Sequence, residues 1–212
     1  LGGEIRYHAH VTGFIVNGNV LTGVTLAGGE KIMSNAVVLA CGHSARDTYA
    51  SLLKLGVGIE AKPFAIGVRI EHPQELIDKA QYGDFAGHPR LGAVDYALVY
   101  HAPDKSRTAY SFCMCPGGVV VAAASETGGV VVNGMSMYRR DSGIANSAIV
   151  VNVGPQDFGT DPLAGVEFQR HYEKLAFRAG GGCYKAPAQN VGSFLERLPP
   201  DLQCAVEPTY RP

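Results

Sequence analysis

Cys113 and Cys115 are separated by one residue, and so are Arg69 and Glu71. Both pairs lie in runs of β-forming residues, "RTAYSFCMC" and "FAIGVRIEH". On a regular strand, residues i and i+2 face one side. Two thiols on one face form a candidate redox-active dithiol, or the beginning of a soft-metal site. A bridge across that spacing is strained, so a stable disulfide is not expected. A metal needs more ligands. His101 and Cys183 are conceivable, but no spacing selects them, and no metal site is predicted. The plainer reading of both cysteines is that of small buried hydrophobes. Arg69 beside Glu71 could hold a substrate carboxylate and its orienting partner. The plainer reading there is an exposed, salt-bridged strand.

A third stretch, "AVVLACGHSARD" (36–47), joins five apolar or small residues to a turn made by Ala40, Cys41, Gly42 and His43. It reads as a buried strand delivering a sharp turn to a helix N-terminus, the architecture of an anion or cofactor site. Ser44 is placed to cap that helix, with Asp47 three residues on. Further along, "YRRDSGIAN" sets Arg139 and Arg140 side by side. They could clamp an anionic substrate or a nicotinamide-cofactor phosphate, or simply be part of a solvated loop. Asn133 and Ser125-Glu126 read as turn residues as much as site residues.

Composition bounds what these groups can serve. The 212 residues are 46% hydrophobic and 17% charged, so disorder is excluded. Net charge is −1, with no polybasic face, which argues against nucleic-acid binding. No apolar run is long enough to span a membrane, and the first residues lack a signal-peptide pattern. Five cysteines at irregular spacing do not form a disulfide framework, so a reducing cytoplasm is the simplest compartment. The 27 glycines fall between short β-like runs and imply many tight turns.

The elements that must position these residues fall into two unequal parts. Residues 1–60 read as a β-meander, a buried strand and a helix. Its hairpin signal is Asn17-Gly18, and the helix "ARDTYASLLKL" ends at Gly56. Residues 61–212 read as a mostly antiparallel sheet with helices. Strands are expected at 64–72, 96–102, 107–115, 118–125, 129–135 and 147–153. Helices are expected at 73–82, from Asp161-Pro162 onward, and at 188–198. Phe168, Tyr172, Leu175 and Ala176 make the apolar stripe of the second of these. The tail "CAVEPTYRP" has no evident packing element. The fold class expected is α/β with α+β.

A meander followed by a buried strand and a Gly turn resembles the second half of an FAD-binding Rossmann-like domain of the glutathione-reductase type. Residues 63–74, 110–126, 130–136, 139–148 and 186–195 are similar to those of the FAD-dependent dehydrogenase family, also described as NAD(FAD)-utilising. The resemblance implies FAD as cofactor, with NAD(P) possible, and a small-molecule substrate. It implies that Val11 meets the adenine through its backbone, and that Ala40, Cys41, Gly42 and His43 approach the diphosphate or ribose. It places the Gly117-Gly118 turn over the flavin ring, with Cys113, Cys115 and Arg69 as catalytic candidates; a plain hairpin is the alternative for the turn. Residues 1–60 would be the C-terminal side of a split FAD domain, and 61–212 an inserted substrate-side domain over the flavin. Neither a Gly-x-Gly-x-x-Gly loop nor a closing Gly-rich flavin segment occurs here. The chain is therefore expected to be an internal fragment, inactive alone, whose flavin site is completed by remaining segments of the same polypeptide. A non-catalytic interaction domain and a tRNA-modifying flavoprotein stay open as alternatives.

Overall fold

The alternating residues on either side of Asn17-Gly18 fold into a hairpin. β1 (Val11–Asn17) and β2 (Val20–Leu26) pair antiparallel, with Asn17 opposite Val20 and the two residues Gly18 and Asn19 between them. β3 (Lys31–Met33) adds to the other side of β2, which gives the sheet order β1-β2-β3. The computed structural model describes residues 2–104 and 106–210. The chain divides into two compact units, Leu1–Glu60 and Ala61–Pro212.

In the first unit the segment 36–40 is not the buried strand expected. Its residues are exposed, Val38 at 90%, and they join no sheet. A strand is a pairwise state: an apolar run becomes one only where a neighbour completes its hydrogen bonds. No described strand runs beside this one. Helix α1 (Arg46–Lys54) is capped one residue later than the sequence predicts, at Ala45 rather than Ser44, with no side-chain cap. The Ser44 hydroxyl instead lies 3.4 Å from the His43 ring. The other end agrees with the sequence. The Gly56 amide donates to Leu53 and the Val57 amide to Leu52, the paired closure of a Schellman motif.

The second unit is built on β4 (Phe64–Pro73), β5 (Val99–His101), β6 (Thr108–Cys115), β7 (Gly118–Ala122), β8 (Val132–Ser136) and β9 (Ile144–Val153). Four of these form a sheet of order β4-β9-β6-β5, and β7 pairs with β8. Every described ladder is antiparallel, so the architecture is mixed α/β with antiparallel sheets. β9 is the central strand and pairs with β4 along ten positions, from Phe64↔Val153 to Pro73↔Ile144. Val150, Val153, Ala145 and Val120 are buried in the core. β5 is shorter than predicted because Leu98 donates its amide to the Ser111 hydroxyl, which replaces a ladder bond.

Helices α2 (Gln74–Tyr82), α3 (Pro155–Phe158), α4 (Ala164–Ala179) and α5 (Val191–Glu196) pack on this framework. The Asp161 carboxylate accepts from Leu163 in a local turn, so α4 starts after it rather than at Pro162. Phe168 on α4 joins Phe64 and Phe158 in an aromatic cluster with centroids 5.4–6.1 Å apart. Tyr172 and Leu175 of the predicted stripe remain exposed at 47% and 39%. The tail is not idle either. The Thr209 hydroxyl accepts from the Val120 amide at 2.7 Å and donates to Glu71, while Tyr210 donates to the Tyr184 carbonyl.

Asp157, in the single turn of α3, is gripped through both oxygens by Arg107 and by the Gly154 amide. These bonds, Arg107 first, hold its carboxyl at about 2, below the ordinary 3.8. The sign follows from a depressed folded value: the stabilisation is complete above the unfolded pKa and fades as pH falls through about 2. Arg107→Leu is therefore expected to lower the urea midpoint near neutral pH, with the gap closing as pH drops from about 4 toward 2. A gap that stays constant over that range would refute the assignment.

Candidate functional site

Arg69 rises from β4 into the space between the two sheets of the second unit. Its Nη1 donates to the Asn146 side-chain oxygen at 2.7 Å and to the Cys113 carbonyl at 3.1 Å. Nη2 donates to the Asn133 side-chain oxygen at 3.3 Å. Four strands thus converge on one guanidinium: β4, β6, β8 and β9. The approach of β8 depends on Gly134, where a Cβ would lie 2.2 Å from Asn146 Oδ1 and 2.4 Å from Arg69 Nη1. Glu71 is not the orienting partner of Arg69. Its carboxylate accepts from Thr209 instead, so the salt-bridged strand is replaced by a tail clasp and a cation held by neutral oxygens.

The two candidate thiols do not share a face. Phe112 opposes Ala148 and Cys115 opposes Asn146, so Cys113 and Met114 together face the single residue Ser147. This is a β-bulge, and it breaks the i, i+2 rule on which the expectation rested. Cys113 carries a left-handed φ of 44° and is exposed; Cys115 is buried. The Cys115 thiol donates to the Cys113 carbonyl at 3.3 Å. The bulge therefore offers one exposed cysteine whose carbonyl is bonded to Arg69, on backbone in a region that non-glycine residues seldom adopt.

Gly117 and Gly118 follow directly, and both are buried. A Cβ on Gly117 would lie 1.8 Å from the Arg140 carbonyl oxygen, and one on Gly118 2.5 Å from that of Met135. The Gly117 amide donates to the buried Gln74 side chain at 2.8 Å. The chain's own carbonyls fill the space these glycines leave, which is the geometry of a packed turn. The side chains of Arg139 and Arg140 are exposed. Glu126 is taken up by Arg170, which donates to both of its oxygens at 2.7 and 2.8 Å.

The opposite face of β4 and β9 carries a second polar group. His72 Nδ1 donates to the Pro73 carbonyl, and its Nε2 accepts from the Tyr96 hydroxyl at 3.0 Å. Burial pushes the Tyr96 phenol up, against a Ser147 hydrogen bond and the Arg69 charge that pull it down. Ser147 itself is completely buried.

In the first unit, Ala40, Cys41, Gly42 and His43 form an exposed turn ahead of α1. Tyr49 of that helix pins the turn by donating to the Gly42 carbonyl at 2.8 Å. Gly42 has a φ of 70°, and nothing lies within 4 Å of where its Cβ would stand. Val11 opens β1, which is an edge strand among the described residues. A groove of about 380 Å³ in this unit is lined by Phe14, Leu21, Val37, Leu39 and Leu52, among others.

Residues 63–212 match the family described as FAD-dependent protein, C-terminal domain-like. The chain belongs to this family. It is also 55% identical, over 197 residues, to an uncharacterized protein of Clostridium beijerinckii. That alignment covers 92% of this chain and 37% of the relative, so the chain spans just over a third of the relative's length. Family membership supports FAD as the cofactor and relates the chain to flavoproteins. The Ala40–His43 turn fits a group bound through backbone atoms, because it is exposed and open at Gly42. Gly117 and Gly118 do not offer such a cradle, since protein carbonyls occupy it. Among the described residues, no group of three or more His, Cys, Asp or Glu is placed to hold a metal, and no helix is long and apolar enough to cross a membrane.

The sequence singles out Arg69 and Cys113, which the structure brings together, but reads Asn146 as part of a polar loop and Asn133 as a turn residue. Gln74, Tyr96 and Thr209 were missed. One signal was available: Asn146-Ser147 interrupts an otherwise apolar strand, and a polar pair in a central strand needs partners.

Proposed function

We propose that the chain is part of an FAD-dependent oxidoreductase of the dehydrogenase type, with residues 61–212 as its substrate-side domain. Residues 1–60 are read as the C-terminal side of a split, Rossmann-like FAD-binding domain. The observation that carries the reading is the Arg69 guanidinium, fixed by three neutral oxygens, one of them the carbonyl of the exposed Cys113, in a chain of an FAD-dependent family. When bound, FAD supplies hydride or electron transfer. The work of the chain is then to bind and orient. Arg69 holds a small-molecule substrate, and Cys113 stands by as an accessible thiol with Cys115 supporting its carbonyl. Val11, Ala40, Cys41, Gly42 and His43 offer backbone contacts to the cofactor. NAD(P) as electron partner, a cytoplasmic setting, and completion of the site by other segments of the polypeptide belong to the same reading.

The test uses the full-length protein. It is expected to purify with visible flavin absorbance and to release FAD on denaturation. Arg69→Gln is expected to lower kcat/KM by about 10- to 100-fold while leaving the flavin content unchanged. A colourless, folded protein that takes up no FAD would refute the reading and favour an interaction domain.

A further inference from the structure

We propose that Arg69, with the buried amide of Asn146 behind it and Phe112 beside it, receives a carboxylate carried on a flat apolar body. The inference rests on the reading above and names its substrate class.

The charge comes first. Every acceptor described for Arg69 is neutral: the Cys113 carbonyl and the amide oxygens of Asn146 and Asn133. These bonds orient the cation without neutralising it. The nearest candidate anion on the same face, Glu71, is engaged by Thr209. A guanidinium preset by neutral acceptors is organised for an incoming carboxylate, whose two oxygens match its fork.

Asn146 gives a second, independent observation. The residue is 0% exposed, yet its Nδ2 has no acceptor among the described residues. Its Oδ1 is committed to Arg69, so the amide cannot turn to hide the donor. Buried donors are nearly always paired. A cation without an anion and a donor without an acceptor sit on the same two side chains. An oxyanion drawn into the cluster supplies what both lack.

The body of the ligand is read from the register. Arg69 opposes Ala148, and Ala148 opposes Phe112, so the three share one face of the sheet. Ala148 contributes only a methyl group between them. Phe112 is 58% exposed, which leaves its side chain open to a ligand. The Arg69 guanidinium crosses to the Cys113 carbonyl, one residue from Phe112 on β6, so a ring that carries the carboxylate can lie against the exposed Phe112 side chain. Among the described residues Arg69 is the one cation bonded within this cluster, fewer than a phosphate would call for.

Isothermal titration of the full-length protein with benzoate, benzyl alcohol and acetate tests this, with the FAD content of each sample measured after denaturation. Benzoate is expected to bind. Benzyl alcohol should bind about 10- to 100-fold more weakly, and Arg69→Gln should weaken benzoate by a similar factor. Acetate, or benzoate with the Phe112→Ala variant, should lose about tenfold through the missing ring contact. Arg69→Lys keeps the charge but not the fork and should fall between. Equal binding of benzoate and benzyl alcohol would overturn the proposal. So would undiminished binding by a folded Arg69→Gln, or no benzoate binding by the folded wild type. If Arg69-dependent benzoate binding is found in a protein without FAD, the carboxylate site stands and the oxidoreductase reading falls. If the protein holds FAD and ignores benzoate, the reverse holds.

Discussion

Gly117→Ala is expected to destabilise the second unit by about 3–5 kcal/mol, the sum of left-handed backbone strain and overpacking. Gly117 has a φ of 52°, where a side chain is strained whatever the space. There is also no space. The new Cβ would stand 1.8 Å from the Arg140 carbonyl oxygen, 2.0 Å from its carbon and 2.6 Å from its Cα. All three atoms are backbone, so no rotamer change relieves the clash, and the 137–143 loop must move. Urea denaturation of the variant measures the loss, with Gly58→Ala as the control. At Gly58 nothing lies within 4 Å of the added methyl, and the change should stay within about 0.5 kcal/mol. Equal midpoints for the two variants would show that the turn is not packed as described.

Gln74→Leu should cost about 2–4 kcal/mol, because it strands more than one buried polar group. Gln74 is 5% exposed. Its oxygen accepts from Gly117 at 2.8 Å, and its nitrogen donates to the Val94 carbonyl at 2.9 Å and to Asp78 at 2.8 Å. One side chain thus ties the glycine turn to the 86–98 segment, which Asp78 also holds through the Val94 amide. Leucine fills the volume but satisfies none of these groups. Limited proteolysis adds a second measurement: cleavage within 86–98 should accelerate in the variant. Gln74→Glu separates packing from hydrogen bonding. Its carboxylate can still accept from Gly117 but cannot donate to Val94, and it faces the Asp78 carboxylate. It should therefore be nearly as damaging as leucine near neutral pH and recover part of the loss in acid. A Gln74→Leu protein of wild-type stability and protease resistance would dismiss the side chain as a structural tie.

Local signals carried the sequence reading where the structure is local. The hairpin at Asn17-Gly18 and the closure at Gly56 depend on residues within a few positions, and both are present. The segment 36–40 shows the limit. Its composition states that it can be a strand, but the pairing that would make it one is not a property of the segment. The Cys113–Cys115 spacing shows another limit. Period-two alternation assumes an unbroken ladder, and the bulge that re-aims Cys113 depends on how β6 meets β9. Arg69 was legible as a functional candidate because an arginine in an apolar strand stands out. Its partners were not, because Asn133 and Asn146 come from strands 64 and 77 residues away. Glu71 was assigned to the wrong neighbour for the same reason, since its true partner is 138 residues along the chain.

That last separation bears on how the molecule is made. A chain that emerges from its N-terminal end presents Glu71 and Val120 long before Thr209 exists to join them. Until then a carboxylate on β4 and an amide on β7 must rely on water, and the seam between the two sheets stays loose. Contacts this distant in sequence form late and slowly. The final locking of the domain is thereby deferred until translation of the segment is complete, and nascent chains stalled upstream of Thr209 would be the natural clients of chaperones.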